Sequence, residues 1–327
     1  MRVFITGATG FVGQELAKQL MEEKHQIVAW VRNRQSAREL LGPSVELVPT
    51  SEGDAKLVEV LSRVDAVVNL AGANLFVKRW SRAYKETLVS SRVETTSRIV
   101  DAMIVARRPK VLVSASGVGF YGDRGDEILN ESSRSGDDFL AQLSRRWEEA
   151  AGRAEQAGIR VVQLRIGTVL GQGGGALGRL VPLFRRGLGG RLGPGTQYMS
   201  WIHISDLVQV IRAAAVDERY RGPINAVAPE QVSNAAFTQA LAGALGRRAM
   251  APAPSAVLRA AVGPAATCLL ASQRAVPRRL EQLGFRFRFA TLEEALDVTL
   301  RHERGRAARW TRNAPDVYQD CRSDAGR

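Results

Sequence analysis

The first thirteen residues, Met-Arg-Val-Phe-Ile-Thr-Gly-Ala-Thr-Gly-Phe-Val-Gly, constrain this chain more than any other stretch. Val3 to Thr6 is a short, β-branched-rich run with the length and composition of a buried parallel strand. Gly7, Gly10 and Gly13 follow, and then a helical pattern from Phe11 to about Glu23. Each glycine answers a separate steric demand. Gly7 permits the tight turn, Gly10 lets the backbone approach a diphosphate, and Gly13 lets the helix pack closely on the strand. The diphosphate would then meet free N–H groups at the positive end of the helix dipole. A strand, a glycine turn and a helix in this order open a doubly wound, nucleotide-binding α/β fold.

The second strand, Gln26 to Val31, leads into Arg32-Asn33-Arg34. An acidic residue here would hold the 2′-hydroxyl of an NAD ribose. None is present. Arg32 and Arg34 offer planar, charged donors suited to a 2′-phosphate instead. The pattern therefore predicts NADP(H) in preference to NAD(H). The alternative reading is a pair of solvated arginines at a helix start.

Strands and helices keep alternating, as a parallel doubly wound sheet requires. A strand is expected at Val45 to Val48, a helix at Asp54 to Leu61, and a strand at Asp65 to Gly72 that ends in small residues. A long helical pattern covers Trp80 to Ala106, and a strand from Pro109 to Ser114 runs into the segment ending at Tyr121-Gly122. Asp138 to Ala157 reads as helix and Arg160 to Gly167 as strand. The rhythm breaks at Gly171-Gln172-Gly173-Gly174-Gly175 and resumes at Ser200 to Asp206. Beyond Asn225 the pattern is mainly helical. Residues 1–170 plus about 200–228 are expected to form the dinucleotide-binding domain, and about 171–199 plus 229–300 a smaller substrate domain. Residues 301–327 read as a charged tail.

The formal net charge of +13 raises nucleic-acid binding as a candidate. Yet arginine is spread along the whole chain among Asp and Glu, and no nucleic-acid motif accompanies it, so no such partner is expected. No apolar run reaches membrane-spanning length. Cys268 and Cys321 give neither a disulfide framework nor metal-ligand spacing. Cytoplasmic placement is expected, with no metal, a small-molecule substrate as partner, and a homodimer as an option.

Gly7-Ala8-Thr9-Gly10-Phe11-Val12-Gly13, Asn69-Leu70-Ala71-Gly72, the Ser114–Gly122 segment, Leu164-Arg165-Ile166-Gly167 and Ile202-His203-Ile204-Ser205-Asp206 occur here in one order. The chain thereby resembles the extended short-chain dehydrogenases/reductases. It is closest to an atypical branch called NAD-dependent epimerase/dehydratase, or sugar-nucleotide-epimerase-like. Trp147-Glu148, Ser200-Trp201-Ile202-His203, Ser272-Gln273-Arg274, Pro277 and Gly284-Phe285 carry that branch resemblance over about residues 1–300. It implies oxidoreductase or epimerase chemistry on a small carbonyl, alcohol or sugar nucleotide. The cofactor would be held by Gly7, Thr9, Gly10, Phe11, Val12, Gly13, Arg32, Arg34, Asn69, Leu70, Ala71, Gly72, Ser114 and Arg165.

One departure stands out. The superfamily's Tyr-x-x-x-Lys pair is missing, with Leu140 at the tyrosine position and Ser144 at the lysine position. Neither can move a proton in that role. A non-catalytic NADP(H) sensor or scaffold is therefore the alternative to an enzyme. If catalysis persists, Tyr121 is the nearest phenol and Ser116 the carbonyl-polarising serine, with Ser114 its substitute. A phenol of ordinary pKa, about 10, needs a nearby cation such as Lys85 or an arginine to act near neutrality. Alternatively, Tyr121 only packs beside the substrate, and the serines only satisfy backbone groups. Trp201 and His203 are candidate substrate contacts, although His203 lies between apolar neighbours and also reads as structural.

Overall fold

Alternate residues of the first strand face opposite layers, and this sets the architecture. The computed structural model describes residues 1–301; the expected tail, apart from Arg301, lies outside the described residues. Seven parallel strands form the main sheet: β1 (Arg2–Thr6), β2 (Gln26–Val31), β3 (Glu46–Pro49), β4 (Ala66–Asn69), β5 (Val111–Gly117), β6 (Arg160–Ile166) and β7 (Gly222–Ala226). Their order is 3-2-1-4-5-6-7, so the chain reverses direction between β1 and β4. This is a Rossmann-like α/β fold, as expected.

Both faces of the sheet are buried, which is why its strands read as nearly continuous apolar runs. Val3, Ile5, Ile27, Ala29, Val68 and Val113 face α1 (Phe11–Glu22) and α8 (Ile204–Val216). Phe4, Val28, Val67 and Leu112 face α3 (Gly53–Leu61) and α5 (Thr95–Ala106). Side chains such as Leu57 and Ile99 are fully buried, each stabilising by about 1.5–3 kcal/mol. A shorter helix, α2 (Arg34–Leu41), starts at the Asn33 cap, whose side chain accepts the Ser36 N–H at 2.9 Å.

Element boundaries differ from expectation where tertiary contacts intervene. β4 stops at Asn69 because the next N–H groups turn back onto β1: Leu70 donates to the Thr6 carbonyl at 3.2 Å and Ala71 to Thr6 Oγ1 at 3.2 Å. The long helix is α4 (Arg82–Val89) joined to α5 through one wide π turn, Ser90–Glu94. Helix α6 (Phe139–Gly152) is capped by Asp138, which accepts the Ala141 N–H at 2.9 Å.

After β6 the chain leaves the sheet. Thr168–Leu170 pairs in parallel with Trp201–His203, and α7 (Gly175–Arg185) lies between them in sequence. A separate apolar core gathers Leu170, Leu177, Phe184, Trp201, Phe237, Leu241, Phe289 and Leu296. The C-terminal region is mostly helical. Its Leu280 joins the sheet core, however, with Phe285 and Phe287 packed against it. No helix of the described residues is long and apolar enough to cross a membrane.

Candidate functional site

The glycine loop has the shape its sequence demands. Gly7 has φ +69°, and a Cβ there would stand 2.7 Å from the Leu70 carbonyl oxygen. A Cβ on Gly13 would meet Ala8 Cα at 2.7 Å, so helix and loop touch backbone to backbone. Gly10 differs: its backbone is extended and only the Gly7 oxygen, at 3.1 Å, limits a side chain. It caps α1 without a side chain, and no acidic residue occupies the first turn. The leading N–H groups of α1 thus face outward beside half-buried Thr9, Phe11 and Val12. At the end of β2, Arg32 and Arg34 are exposed and make no hydrogen bond or ion pair among the described residues. Leu70, Ala71 and Gly72 border the loop, with Gly72 exposed. These residues come together as a groove with backbone donors at its centre and free cations at one end.

Asn69 and Ser114, expected at the cofactor, have their side chains inside the protein. Both are buried beneath the groove. Thr6 Oγ1 donates to Asn69 Oδ1 at 2.6 Å, and Asn69 Nδ2 donates to Thr96 Oγ1 at 2.8 Å and to Ser114 Oγ at 3.4 Å. Trp147 Nε1 donates to the same Thr96 oxygen at 2.9 Å. The amide ties β1, β4, β5 and α5 together, so its polar atoms are spent inside the protein.

A second buried network occupies the position expected for catalysis. Ser116 Oγ donates to Glu148 Oε1 at 2.7 Å. Arg165, 4% exposed, grips the same carboxylate with Nε and Nη2, both at 2.9 Å, a forked pairing. Its Nη1 donates to Tyr121 Oη at 3.1 Å and to the Glu131 carbonyl at 3.1 Å. The Tyr121 hydroxyl is within 2.6 Å of Asn225 Oδ1 and 3.0 Å of the Asn130 carbonyl. Burial works against the Arg165 charge, but Glu148 more than offsets it, and its pKa rises.

Two expectations change here. Arg165 is committed to Glu148 and stacks on the Phe120 ring at 3.5 Å, so it does not reach outward for a cofactor anion. Tyr121 is 0% exposed, and burial drives its pKa upward despite the adjacent guanidinium. Its hydroxyl is held inside the protein by Arg165, Asn225 and the Asn130 carbonyl. Lys85 does not assist it; that ammonium lies 4.9 Å over the Phe139 ring. Ser116 remains at the end of β5, with its proton directed to Glu148.

Leu140 and Ser144 lie on α6 as the register requires, and Leu140 has apolar surroundings. Leu140 sits over Gly119, where a Cβ would be 3.3 Å away, and packs with Trp80, Leu88, Leu143 and Ala265. Ser144 is buried. Cys268 packs on the same cluster, and burial pushes its thiol up to about 12, so it is no nucleophile.

Trp201 and His203, expected near substrate, are interior. Trp201 is fully buried and donates Nε1–H to the Glu230 carbonyl at 3.1 Å. His203 Nδ1 accepts the Ser205 N–H at 3.2 Å, and Nε2 meets Thr299 Oγ1 at 3.3 Å. Burial, helped by the Arg288 charge, pulls its pKa down to about 4, which keeps the ring neutral.

Sequence reading missed what packs on Phe11 at the start of α1. The Gly171–Gly175 run is more than a break in rhythm. A Cβ on Gly171, Gly174 or Gly175 would strike the Phe11 ring, at 2.9 Å for Gly171 and 2.8 Å for Gly175. The run therefore packs on Phe11, the first residue of α1. Farther along α7, Arg179 Nη1 donates to the Phe76 carbonyl at 3.1 Å, tying α7 to the loop after β4. Glycines clustered at one position were the available signal; their partner Phe11 was not readable from spacing.

Comparisons with known proteins agree with this geometry. Residues 3–226 match the NAD dependent epimerase/dehydratase family, and residues 253–298 match a domain of unknown function. An epimerase family protein of Mycobacterium bovis is 41% identical over 295 residues, covering 90% of this chain and 96% of that protein. The chloroplastic epimerase family protein SDR39U1 homolog of Arabidopsis thaliana is 38% identical over 303 residues, covering 90% and 86%. The crystal structure of human epimerase family protein SDR39U1 with NADPH superposes with a TM-score of 0.81 at 36% identity, covering 92% of this chain and 99% of that one. A glycine-loop groove, a Rossmann-like sheet and these relatives lead to one conclusion: the chain belongs to the NAD-dependent epimerase/dehydratase family, in the extended short-chain dehydrogenase/reductase group.

Proposed function

We propose that this protein binds NADP(H) in preference to NAD(H) and is an oxidoreductase or epimerase-type enzyme acting on a small carbonyl, alcohol or sugar nucleotide. Residues 1–170 and about 200–228 would hold the cofactor, and about 171–199 plus 229–300 the substrate. The observation that carries the reading is the pair of exposed, unpaired cations, Arg32 and Arg34, at the end of a groove whose glycines admit a diphosphate. The groove fits the cofactor on three counts: at Gly10 only the Gly7 oxygen stands near the missing side chain, the α1 N–H groups have no acidic side chain in the first turn, and Arg32 and Arg34 are unpaired among the described residues. Gly7, Gly10, Phe11, Val12 and Gly13 cradle the diphosphate, Arg32 and Arg34 hold the 2′-phosphate, and Leu70, Ala71 and Gly72 border the ribose. When bound, NADP(H) supplies hydride transfer. The protein's own part is to orient the nicotinamide end against β5, with the Gly171–Gly175 run packed on Phe11 at the head of α1. The NADPH complex of the human relative supports this reading.

A specific observation favours a second reading, a non-catalytic NADP(H) sensor or scaffold. Leu140 and Ser144 replace the proton-transfer pair, and the Tyr121 hydroxyl is sealed within the protein. NADPH oxidation measured against a broad panel of carbonyls and sugar nucleotides separates the two. Turnover that rises with substrate supports the enzyme. NADPH binding with no turnover across the panel, and carbonyl reduction gained by Leu140→Tyr with Ser144→Lys, would favour the sensor.

A further inference from the structure

The π turn Ser90–Glu94 places Arg92 against the loop that leaves β4. Such wide turns shift helical register and gather at functional sites. Arg92 Nη2 donates to the Ala73 carbonyl at 3.0 Å, and Nη1 to the Leu88 carbonyl at 3.3 Å. The guanidinium carbon lies 5.3 Å from the Trp147 ring centroid. Above it is Gly72, where a Cβ would come within 3.0 Å of that carbon. The backbone at Gly72 thus rests closely on this side chain.

What Arg92 lacks is a counter-charge. Arg165 is matched by Glu148. Arg92 has carbonyl dipoles, the Ser91 hydroxyl and a ring, with no carboxylate among its described partners. Burial lowers its pKa to about 10, so it stays charged at neutral pH while half-buried. A cation held this way is costly unless an anion completes it. Its position says which anion. Gly72 follows Leu70 and Ala71, whose backbone atoms stand within about 3 Å of the Cβ position of Gly7. The diphosphate groove of the glycine loop is therefore the adjacent space.

We propose that Arg92 is the counter-charge for the diphosphate of the bound dinucleotide, meeting it from the Gly72 side of the groove. This rests on the dinucleotide reading above. It makes Arg92 a binding residue indifferent to the 2′-phosphate, in contrast to Arg32.

The test is calorimetric titration of wild type, Arg92→Met and Arg92→Lys with NADPH, NADH and 2′-AMP, which has the 2′-phosphate but no diphosphate. Arg92→Met should weaken NADPH and NADH alike, by about ten- to hundredfold, while 2′-AMP changes by no more than about twofold and Arg92→Lys recovers much of the loss. Unchanged dinucleotide affinity, or equal losses for 2′-AMP and NADPH, would overturn the assignment. Should Arg92→Met fail to fold, a crystal structure of wild type with NADPH decides. An Arg92 nitrogen about 3 Å from a diphosphate oxygen supports the proposal, and one beyond about 6 Å refutes it. Wild type that binds neither dinucleotide refutes the underlying reading, and this proposal with it.

Discussion

The two ends of the groove are built on opposite principles. At the cofactor end the backbone is bare and the polar groups are unspent: the α1 N–H groups, Arg32 and Arg34. At the end beside β5 nearly every polar group is already satisfied. Ser116, Glu148, Arg165, Tyr121 and Asn225 bond to one another, and Leu140 covers Gly119 with an apolar side chain. Unspent groups recognise a ligand, whereas satisfied ones fix the fold, because a buried hydrogen bond once made is costly to break. On the proposed reading, the groups that would recognise the cofactor are open and the Tyr121 hydroxyl is closed in.

The largest expected effect breaks the open end. Gly10→Val introduces a branched side chain where the diphosphate must approach, on a backbone any residue can adopt. NADPH affinity should fall by about a hundredfold or more while the thermal midpoint stays near wild type. Normal binding would reduce the glycines to turn formers.

The next largest effect concerns pH and lies away from both ends. His203 is held neutral: Nδ1 accepts from Ser205, and because the Thr299 hydroxyl donates to the Ala295 carbonyl at 2.6 Å, Nε2–H is the donor to Thr299. Its folded pKa, about 4, is below the ordinary 6.5, so the unfolded chain takes up a proton first. That contribution is complete above about pH 6.5 and is lost as pH falls toward 4, about 3 kcal/mol in all. Chemical denaturation at pH 7 and pH 4.5 should show the loss, and His203→Gln should flatten it. An equally steep decline in the variant would assign the acid sensitivity elsewhere.

A smaller effect sharpens the closed end. Tyr121→Phe removes one hydroxyl and leaves Arg165 Nη1 and Asn225 Oδ1 each short of a partner. Unfolding free energy should drop by about 1–3 kcal/mol. NADPH affinity, and any turnover found, should change by no more than a few-fold. A fall in turnover of about 10²–10⁴-fold with stability unchanged would restore Tyr121 as the acid.

The same contrast explains what could be read from sequence. The sheet was legible because both its faces are buried, leaving apolar runs at Val3–Thr6, Gln26–Val31 and Arg160–Ile166 with glycines where backbone touches backbone. The absence of an acidic residue after β2 was legible because it is a local fact, and the structure leaves Arg32 and Arg34 exposed there. Asn69, Ser114 and Arg165 were assigned to the cofactor because a polar residue at a strand end looks the same whether it faces the groove or the floor beneath it. Only the third dimension shows that Thr96 and Glu148 claim them. The burial of Tyr121 is hidden for the same reason: Asn225, its partner, is 104 residues away. Arg92 carried no motif, and its isolation from carboxylates is a property of packing.

The central claim is that the open end recognises NADP(H) through its unpaired cations. Calorimetric titration of wild type and Arg32→Ala with NADPH and NADH tests it directly. The account predicts tighter binding of NADPH than NADH by wild type, and a selective loss of about ten- to hundredfold for NADPH in the variant, with NADH nearly unchanged. Equal losses for both cofactors, or tighter NADH binding by wild type, would contradict it.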